Sequence, residues 1–411
     1  MANKHTLAEL KQWQALPLSI KIRMTESRIR GWVHEYGEDG VYVSFSGGKD
    51  STVLLDIVRN RCGYKNIPAV FVDVPTQYPE LRDFVKTFDN VEILKPKISF
   101  MEVCEKYGFP LISKEVSESV QYARKYLTTV NTNNADLTDR QTDRQTDRQI
   151  GGYWAVADLM GIPRRQGTQT SQEYQDLKKG IIPDYQKYKL GAPFRYLVMV
   201  GQLPHIEKGQ LTEEYSKQYD KSRYRFMLDA PFEVSNMCCK VMKKTPMHTY
   251  SRKTGRKPMT AQMAAESRLR TSHWVKDGCN GFHLKQPMSN PMAFWVEDDV
   301  LQYIAENNLP ICSVYGKVVE DFGKQIDGQM DLQDMGWGEC RKHYKTTGCN
   351  RTGCMLCGFG CHLEKSPNRF EMLKETHPGM YGMLDRVTNN GVTMRQAIEW
   401  MNEHGGLDIK L

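Results

Sequence analysis

The chain has 411 residues, of which 40% are hydrophobic and 26% are charged, and its formal net charge is +7. These ordinary globular values exclude a wholly disordered or fibrous protein. Because the length exceeds what a single core usually holds, we expect one large catalytic domain with appended or inserted modules. The modest positive charge suits phosphate-bearing ligands but does not by itself identify a nucleic-acid binder.

The start of the chain is polar, and the sequence contains no run of 18 or more apolar residues. We therefore expect no secretory signal, no membrane partner and a cytoplasmic location. Disulfides are rare in that compartment. The eleven cysteines, five of them between Cys340 and Cys361, thus indicate metal or catalytic roles.

Strands and helices are predicted to alternate in the first part of the chain. Two helices lead, the first with capping-box spacing from Thr6 to Glu9 and the second ending near Gly37. The next predicted elements are the strands Val41–Phe45, Ala69–Asp73 and Val91–Leu94 and the helices Ser51–Arg61, Pro79–Phe88 and Phe100–Tyr107. This alternation predicts an α/β fold with a doubly wound parallel sheet, which binds ligands at the carboxyl ends of its strands.

A low-complexity repeat interrupts the pattern, because residues 138–149 are three identical copies of Thr-Asp-Arg-Gln. Each arginine is offset by an aspartate, so we interpret the repeat as a tolerated insertion or spacer. A nucleic-acid arm is the alternative. Residues 127–226 as a whole are predicted to be an insertion or helical subdomain.

Regular patterns resume after this insertion. They predict a strand at Met259–Met263, a helix from Ala264, a helix at Glu297–Glu306 and a closing helix at Thr393–His404. We divide the chain into four parts. These are the N-terminal helices with the first half of a nucleotide-binding domain (1–126), the insertion (127–226), the rest of that domain (227–310), and a Cys-rich segment with C-terminal helices (311–411).

A glycine-rich turn, the phosphate loop, follows the first predicted strand and consists of Ser46, Gly47, Gly48, Lys49, Asp50 and Ser51. The glycines permit a tight turn, the amides at a helix start carry partial positive charge, and Lys49 adds a full charge. The two serines add hydroxyl donors. The loop therefore predicts binding of a pyrophosphate or similar anion, with Lys49 and Asp50 as candidate catalytic residues. The spacing of its glycines and lysine differs from that of ordinary P-loop nucleoside triphosphatases.

This loop resembles that of the PP-loop ATP pyrophosphatases, specifically of their phosphoadenylyl-sulfate (PAPS) reductase-like branch. The stretch Phe71–Glu80 is similar to the branch's second-strand motif, and Met263–Arg270 is similar to its Glu-Ser-x-x-Arg segment. The resemblance implies an adenine nucleotide alpha hydrolase-like fold that binds an adenine nucleotide. It also implies nucleotide contacts from Asp73, Glu80, Ser267 and Arg270. Glu80 has an alternative role, because an acidic residue favours the start of a helix.

Two cysteine pairs extend the resemblance to the assimilatory adenylyl-sulfate reductases, one adjacent and one in a Cys-x-x-Cys spacing. The resemblance implies an iron–sulfur C-terminal region with a [4Fe–4S] cluster on four thiolates: Cys238, Cys239, Cys354 and Cys357. A four-thiolate zinc site and buried thiols without metal are the alternatives. Cys349 or Cys361 could substitute as ligands. Four other cysteines are predicted to be packing residues: Cys62, Cys104, Cys279 and Cys312.

The sequence differs from sulfonucleotide reductases because it has no cysteine after Cys361, where their attacking thiolate lies. Cys340, within Glu339–His343, partly matches their motif and is a candidate nucleophile. We expect Mg²⁺-assisted, ATP-dependent adenylylation of an unknown acceptor, a nucleic acid or a partner protein, coupled to sulfur transfer from a donor protein. One alternative is reduction of PAPS or adenylyl sulfate to release sulfite, with a thiol from Cys340 or an electron-donor protein. The other is a non-catalytic regulator that senses a nucleotide or redox state.

Overall fold

The computed structural model describes residues 3–134, 192–207, 210–321, 343–388 and 390–411. The chain divides into two compact units. Unit 1 comprises Met1–Ser99 and Val241–Cys354, and unit 2 comprises Phe100–Lys240 and Met355–Leu411. Within the described part of the chain, no helix combines the length and the apolar character needed to cross a membrane. The four-part division by composition stays a prediction.

Short strands and helices follow one another along both units. The strands are β1 Val41–Ser44, β2 Ala69–Val72, β3 Val91–Leu94, β4 Leu111–Ile112, β5 Pro204–Glu207, β6 Gln210–Tyr215, β7 Lys257–Met259, β8 Asn280–Gly281, β9 Met288–Ser289, β10 Val318–Glu320, β11 Tyr344–Thr346, β12 Gly358–Phe359, β13 Val387–Thr388 and β14 Val392–Thr393. The α-helices are Leu7–Ala15, Leu18–Tyr36, Lys49–Asp56, Pro79–Lys86, Phe100–Tyr107, Lys114–Asn134, Ala192–Val200, Met237–Cys239, Thr245–Thr254, Arg268–Asp277, Glu297–Glu306, Arg369–Thr376, Pro378–Tyr381 and Met394–Gly405.

Unit 1 is built on a sheet of six strands in the order β3-β2-β1-β7-β9-β8. Five of them run parallel, and β8 pairs antiparallel with β9. In the register, Val43 lies opposite Ala69 of β2 on one side of β1 and opposite Met259 of β7 on the other. The chain therefore places its first strands on one side of β1 and its later strands on the other. In such sheets the crevice at this reversal, outside the carboxyl ends of the strands, is where ligands bind.

The side chains of β1 alternate between two hydrophobic clusters, as the two-residue period of a strand requires. Val41 and Val43 belong to the main core cluster together with the helical residue Trp32. Tyr42 lies in a second cluster, where it packs against the helical residue Tyr250. Helices thus cover both faces of the sheet at β1, and the predicted α/β fold with a mostly parallel central sheet is confirmed.

A buried ion pair joins the helix Leu18–Tyr36 to the helix Glu297–Glu306. Lys21 Nζ lies 2.6 Å from Asp299 Oδ2, and neither side chain has exposed surface. Asp299 Oδ2 also accepts from the backbone N–H of Val296 at 2.8 Å. Because the first N–H groups of a helix lack partners within it, this carboxylate fixes the point at which the second helix begins.

Unit 2 combines helices with short strand pairs in its described residues. β4 and β12 pair in parallel, whereas β5 with β6 and β13 with β14 pair antiparallel. Arg124 donates to four backbone carbonyls between Met227 and Phe232, which holds that segment against the helix Lys114–Asn134. The predicted insertion therefore includes the β5–β6 pair as well as helix, and its repeat at 138–149 lies outside the described residues.

The strand Val91–Leu94 and the helix Glu297–Glu306 are confirmed with the predicted ends, and other elements of unit 1 have different ends. The helix after the phosphate loop begins at Lys49, two residues before the predicted start, and continues beyond Asp56 as a π-helical turn. The strand predicted at Met259–Met263 ends at Met259 instead, because its pairing with β1 ends there. The helix predicted from Ala264 is a 3-10 turn at Ala264–Glu266 followed by an α-helix that begins at Arg268, where the Ser267 hydroxyl caps it. The four cysteines predicted to be packing residues are all buried.

Candidate functional site

The phosphate loop is shaped by its own hydroxyl groups and by one glycine with positive φ. The Ser46 backbone N–H donates to Ser51 Oγ at 3.1 Å, and Ser51 Oγ donates to the Gly48 carbonyl at 2.9 Å. Gly47 has φ +72°, which glycine adopts without steric cost. A Cβ at Gly47 would lie 2.9 Å from Cγ2 of Val85. The loop therefore needs glycine at this position for both its backbone angle and its packing.

Gly47→Ala is expected to lower the free energy of unfolding by about 2–4 kcal/mol, because positive φ and steric overlap act together. Gly63→Ala is the matched control, since Gly63 also has positive φ, at +84°, but a Cβ added there would meet no atom within 4 Å. It is expected to lose about 1–2 kcal/mol. Urea unfolding of both variants measures the difference, and equal losses would show that packing at Gly47 plays no part.

A cavity of about 250 Å³ lies beside this loop, within unit 1. It is lined by residues that follow β1 and β7, the neighbouring strands at the reversal of the sheet, and by three further segments. The lining residues are Ser46, Gly48, Lys49, Asp50, Met263, Ala265, Glu266, Glu297, Tyr315, Arg351 and Thr352. The sheet topology and the phosphate loop thus point to the same place as the candidate ligand site.

Lys49 is the buried cation of the cavity, with only 4% of its side chain exposed. Its Nζ donates to the carbonyl of Asn350 at 2.7 Å and lies 2.9 Å from Oε1 of Glu297. It also lies 5.5 Å from the centre of the Tyr315 ring, within the range of a cation–π contact. The ammonium is therefore held in place by groups from three distant parts of the sequence.

Asp50 is half-buried, and its carboxylate lies next to this cation with Oδ1 shielded from solvent. Its Oδ1 has no hydrogen-bond partner among the described residues. Burial raises the pKa of Asp50, the charge of Lys49 opposes that rise, and the charge of Glu297 adds to it. A buried carboxylate oxygen without a partner is unfavourable unless a ligand supplies one, so Asp50 is suited to contact a metal ion or a ligand N–H or O–H group.

A tyrosine and a threonine close the cavity against Gly48. Tyr315 OH accepts from the Lys49 backbone N–H at 3.3 Å and lies 2.7 Å from Thr352 Oγ1. Burial raises the pKa of Tyr315 to about 12, so its hydroxyl stays protonated and can donate to Thr352. Neither residue was predicted from the sequence, because neither belongs to the phosphate loop or to the two stretches that resemble nucleotide motifs.

Arg351 and Arg270 add positive charge near the phosphate loop. Arg351 lines the cavity. Arg270 forms an ion pair with Glu266, and its pKa is lowered by burial and by the like charge of Arg351. The charge of each arginine acts on Asp50, which places both within electrostatic range of the loop. Arg351 was not predicted as a site residue, because in the sequence it stands out only as a neighbour of the Cys-x-x-Cys pair.

The other residues predicted to contact the nucleotide do not line the cavity. Asp73 accepts from Arg82 Nε at 2.7 Å. Glu80 lies in the first turn of the helix Pro79–Lys86. Ser267 Oγ accepts from the Arg270 backbone N–H at 3.3 Å and caps a helix. The nucleotide contacts of these residues stay predictions.

Comparison with known proteins settles the family. The model of the phosphoadenosine phosphosulfate reductase domain matches residues 40–172 and 204–358, which is more than half of the chain. The chain belongs to this family. Membership places it with the nucleotide-binding enzymes of sulfur metabolism that are of the sulfonucleotide reductase kind, and it confirms the resemblance drawn from the phosphate loop.

A solved structure is also similar to this member of the PAPS reductase family. It is the crystal structure of PAPS reductase from Candida auris in a phosphate complex, with 11% sequence identity and a TM-score of 0.32. The comparison covers 86% of this chain and all of that one. A search of curated proteins gives no match.

The cysteines predicted to bind a cluster are distributed over both units. Cys354 belongs to unit 1, and Cys238, Cys239 and Cys357 belong to unit 2. Across the described ranges, no three Cys, His, Asp or Glu side chains are grouped so that they could hold a metal ion. The predicted [4Fe–4S] cluster and the alternative four-thiolate zinc site therefore stay predictions for this member of the PAPS reductase family.

The two predicted substitute ligands have local partners. Cys349 Sγ lies 3.9 Å from the hydroxyl of Tyr78. Cys361 is buried, and its Sγ donates to the Gly358 carbonyl at 2.9 Å. Burial raises the pKa of Cys361 to about 12, which disfavours the thiolate that a metal requires. Cys340, the candidate nucleophile, lies outside the described residues.

The cavity residues do fit Mg²⁺ that arrives with a nucleotide. Mg²⁺ takes oxygen ligands and is commonly held by one or two carboxylates together with phosphate oxygens. Asp50 and Glu297 both line the cavity, and Asp50 Oδ1 lacks a partner among the described residues. These two carboxylates would hold the ion only together with the phosphates, which makes metal and nucleotide binding depend on each other.

Proposed function

We propose that the chain binds ATP as its magnesium complex beside the phosphate loop and transfers the adenylyl group to an acceptor, which then receives sulfur. The charge composition of the cavity carries this proposal. Two cations, Lys49 and Arg351, line it together with three carboxylates, Asp50, Glu266 and Glu297. The nearby Arg270 is paired with Glu266. Positive and negative groups thus balance, which suits an anion that brings its own cation.

A site for metal-free PAPS or adenylyl sulfate would be expected to present an excess of positive charge to the sulfate. Unpaired carboxylates beside such a group would repel it, and in a buried site the repulsion is screened little by water. Asp50 is the clearest case, since its Oδ1 is buried and has no hydrogen-bond partner among the described residues. The carboxylates therefore favour a magnesium nucleotide over a free sulfonucleotide.

The chain's own residues have defined roles in this reaction. The phosphate loop and the ammonium of Lys49 bind the β- and γ-phosphates and neutralise charge on the departing pyrophosphate. An oxygen of the acceptor forms a bond to the α-phosphorus, the bond to the bridging oxygen breaks, and the acceptor proton passes to solvent. A donor protein then delivers sulfur at the sulfide level. This sulfur forms a bond to the acceptor atom that carries the adenylylated oxygen, the bond from that atom to the oxygen breaks, and the oxygen leaves in AMP. Bound Mg²⁺ would supply further neutralisation of the phosphates.

The alternative function is reduction of PAPS or adenylyl sulfate to sulfite, which the family membership favours. That reaction needs a thiolate at the sulfate sulfur. Among the residues that the structure describes, no cysteine lines the cavity. The thiol would therefore come from Cys340 or from a partner protein. A non-catalytic regulator would bind the nucleotide and form no product.

Asp50→Asn is expected to weaken binding of magnesium ATP without lowering the free energy of unfolding. The pKa of Asp50 is raised in the folded chain, so its ionised form opposes folding at pH values above that raised pKa. The variant should therefore be at least as stable as the wild type at pH 7, with an advantage that shrinks as the pH falls through the raised pKa. Its magnesium-dependent ATP affinity should fall about tenfold or more. Unfolding at several pH values and ATP titration measure both effects.

Product assays test the proposed reaction. The purified chain is incubated with ATP and Mg²⁺ plus DNA, RNA or a protein fraction as acceptor, and in parallel with PAPS or adenylyl sulfate plus a dithiol reductant. Acceptor-dependent release of pyrophosphate supports adenylylation. Sulfite release by the wild-type chain that is lost in Cys340→Ser would show that the chain is a reductase and not an adenylylating enzyme. Iron and sulfide quantification in the same preparation tests the predicted cluster independently.

A further inference from the structure

The Lys49 ammonium has a carboxylate partner, Glu297, that nothing in the phosphate-loop pattern requires. Oε1 of Glu297 lies 2.9 Å from Nζ. It therefore occupies part of the coordination of the same ammonium that a phosphate oxygen would contact. Lys49 is almost fully buried, whereas 46% of the Glu297 side chain is exposed. The cation is therefore fixed, and its carboxylate partner has room to move toward solvent.

The backbone of Glu297 is held firmly even though its side chain has room to rotate. It is the first residue of the helix Glu297–Glu306, whose start is fixed by Asp299 through the Val296 N–H. Asp299 is in turn held by Lys21 in the buried ion pair. The carboxylate of Glu297 can thus change partner by side-chain rotation alone, without moving the helix.

We propose that Glu297 is an exchangeable counter-ion that makes this site selective for metal-bound pyrophosphate groups. Without ligand it neutralises Lys49, so a metal-free anion has to displace it. With a metal-bound pyrophosphate, Glu297 leaves Lys49 to the phosphate and turns to the accompanying cation. Glu297 thus favours binding of the metal-bound pyrophosphate and opposes binding of the metal-free anion. The assignment of metal-bound pyrophosphate rests on the proposed function, whereas the competition for Lys49 does not.

Binding of inorganic pyrophosphate with and without Mg²⁺ tests this role on Glu297→Gln. The variant is expected to bind metal-free pyrophosphate roughly fivefold tighter than the wild type, because a competing ion pair is removed. The affinity increase that Mg²⁺ gives should be smaller than in the wild type. Asp298→Asn is the matched control, since it removes one negative charge from the same helix turn, where Asp298 pairs with the exposed His343.

The pyrophosphate affinities of the two variants show whether Glu297 competes for Lys49. Tighter metal-free binding in Glu297→Gln, with Asp298→Asn unchanged, supports the counter-ion role. Equal tightening in both variants overturns this role, because the effect would then come from the net charge of the helix start and not from Glu297. No tightening in Glu297→Gln overturns it as well. A wild-type chain that binds pyrophosphate equally with and without Mg²⁺ contradicts the metal-nucleotide assignment instead. Glu297→Gln must still tighten binding in that case for the competition to hold.

Discussion

Lys49→Met is expected to weaken binding of magnesium ATP by about a hundredfold, which corresponds to the loss of charge-assisted hydrogen bonds to phosphate. The substitution keeps the apolar stem of the side chain and removes the only positively charged side chain of the phosphate loop. It leaves Glu297 without its cation, but that carboxylate is about half exposed and can be solvated. The fold should therefore survive.

Lys86→Met is the control for this substitution. Lys86 pairs with Asp83 at the surface, with 57% and 72% of the two side chains exposed. Like Lys49, Lys86 carries an ammonium group paired with a carboxylate, but it does not line the cavity. The ATP affinity of the Lys86→Met variant should equal that of the wild type when measured by equilibrium titration. ATP binding that survives in Lys49→Met would mean that the phosphates bind elsewhere.

Lys21→Met is expected to lower the free energy of unfolding by about 3–5 kcal/mol, because it leaves a buried carboxylate without its cation. Lys21 and Asp299 have no exposed surface, and their 2.6 Å contact joins two helices of unit 1. Lys345→Met is the matched control, since Lys345 pairs with Asp321 at 2.9 Å on the surface. That exposed pair is expected to contribute about 0–1 kcal/mol. Denaturant unfolding compares the two variants.

A double variant keeps this test informative if Lys21→Met does not fold. Lys21→Met combined with Asp299→Asn removes both charges and retains a side-chain oxygen that can accept from the Val296 N–H. It should recover part of the lost stability, because no unpaired charge remains buried. If Lys21→Met were as mild as Lys345→Met, the ion pair would not hold the helix Glu297–Glu306 in place.

The phosphate loop and the strands around it could be predicted because their determinants are local. Strand periodicity, two glycines and a lysine all lie within the stretch Val41–Ser51. The ends of β7 and of the following helix were misplaced, because these depend on pairing with β1 and on the Ser267 cap rather than on apolar periodicity. Local patterns thus located the site but not all of its borders.

The partners of Lys49 could not be predicted, because they come from distant parts of the chain. Glu297 is the first of three acidic residues at a helix start, a pattern that the helix dipole explains without any ligand. Asn350 acts through its backbone carbonyl, so its side-chain type carries no signal. The cysteine spacings predict a cluster, but spacing alone does not determine whether thiolates meet, and the four cysteines are divided between the two units.

Equilibrium titration of the intact chain with ATP, PAPS and adenylyl sulfate, each with and without Mg²⁺, distinguishes a magnesium–ATP site from a sulfonucleotide site. We expect ATP to bind tightest, Mg²⁺ to strengthen its binding, and Asp50→Asn to remove most of this increase. Tighter binding of PAPS or adenylyl sulfate, independent of Mg²⁺ and unaffected by Asp50→Asn, would instead identify the cavity as a sulfonucleotide site.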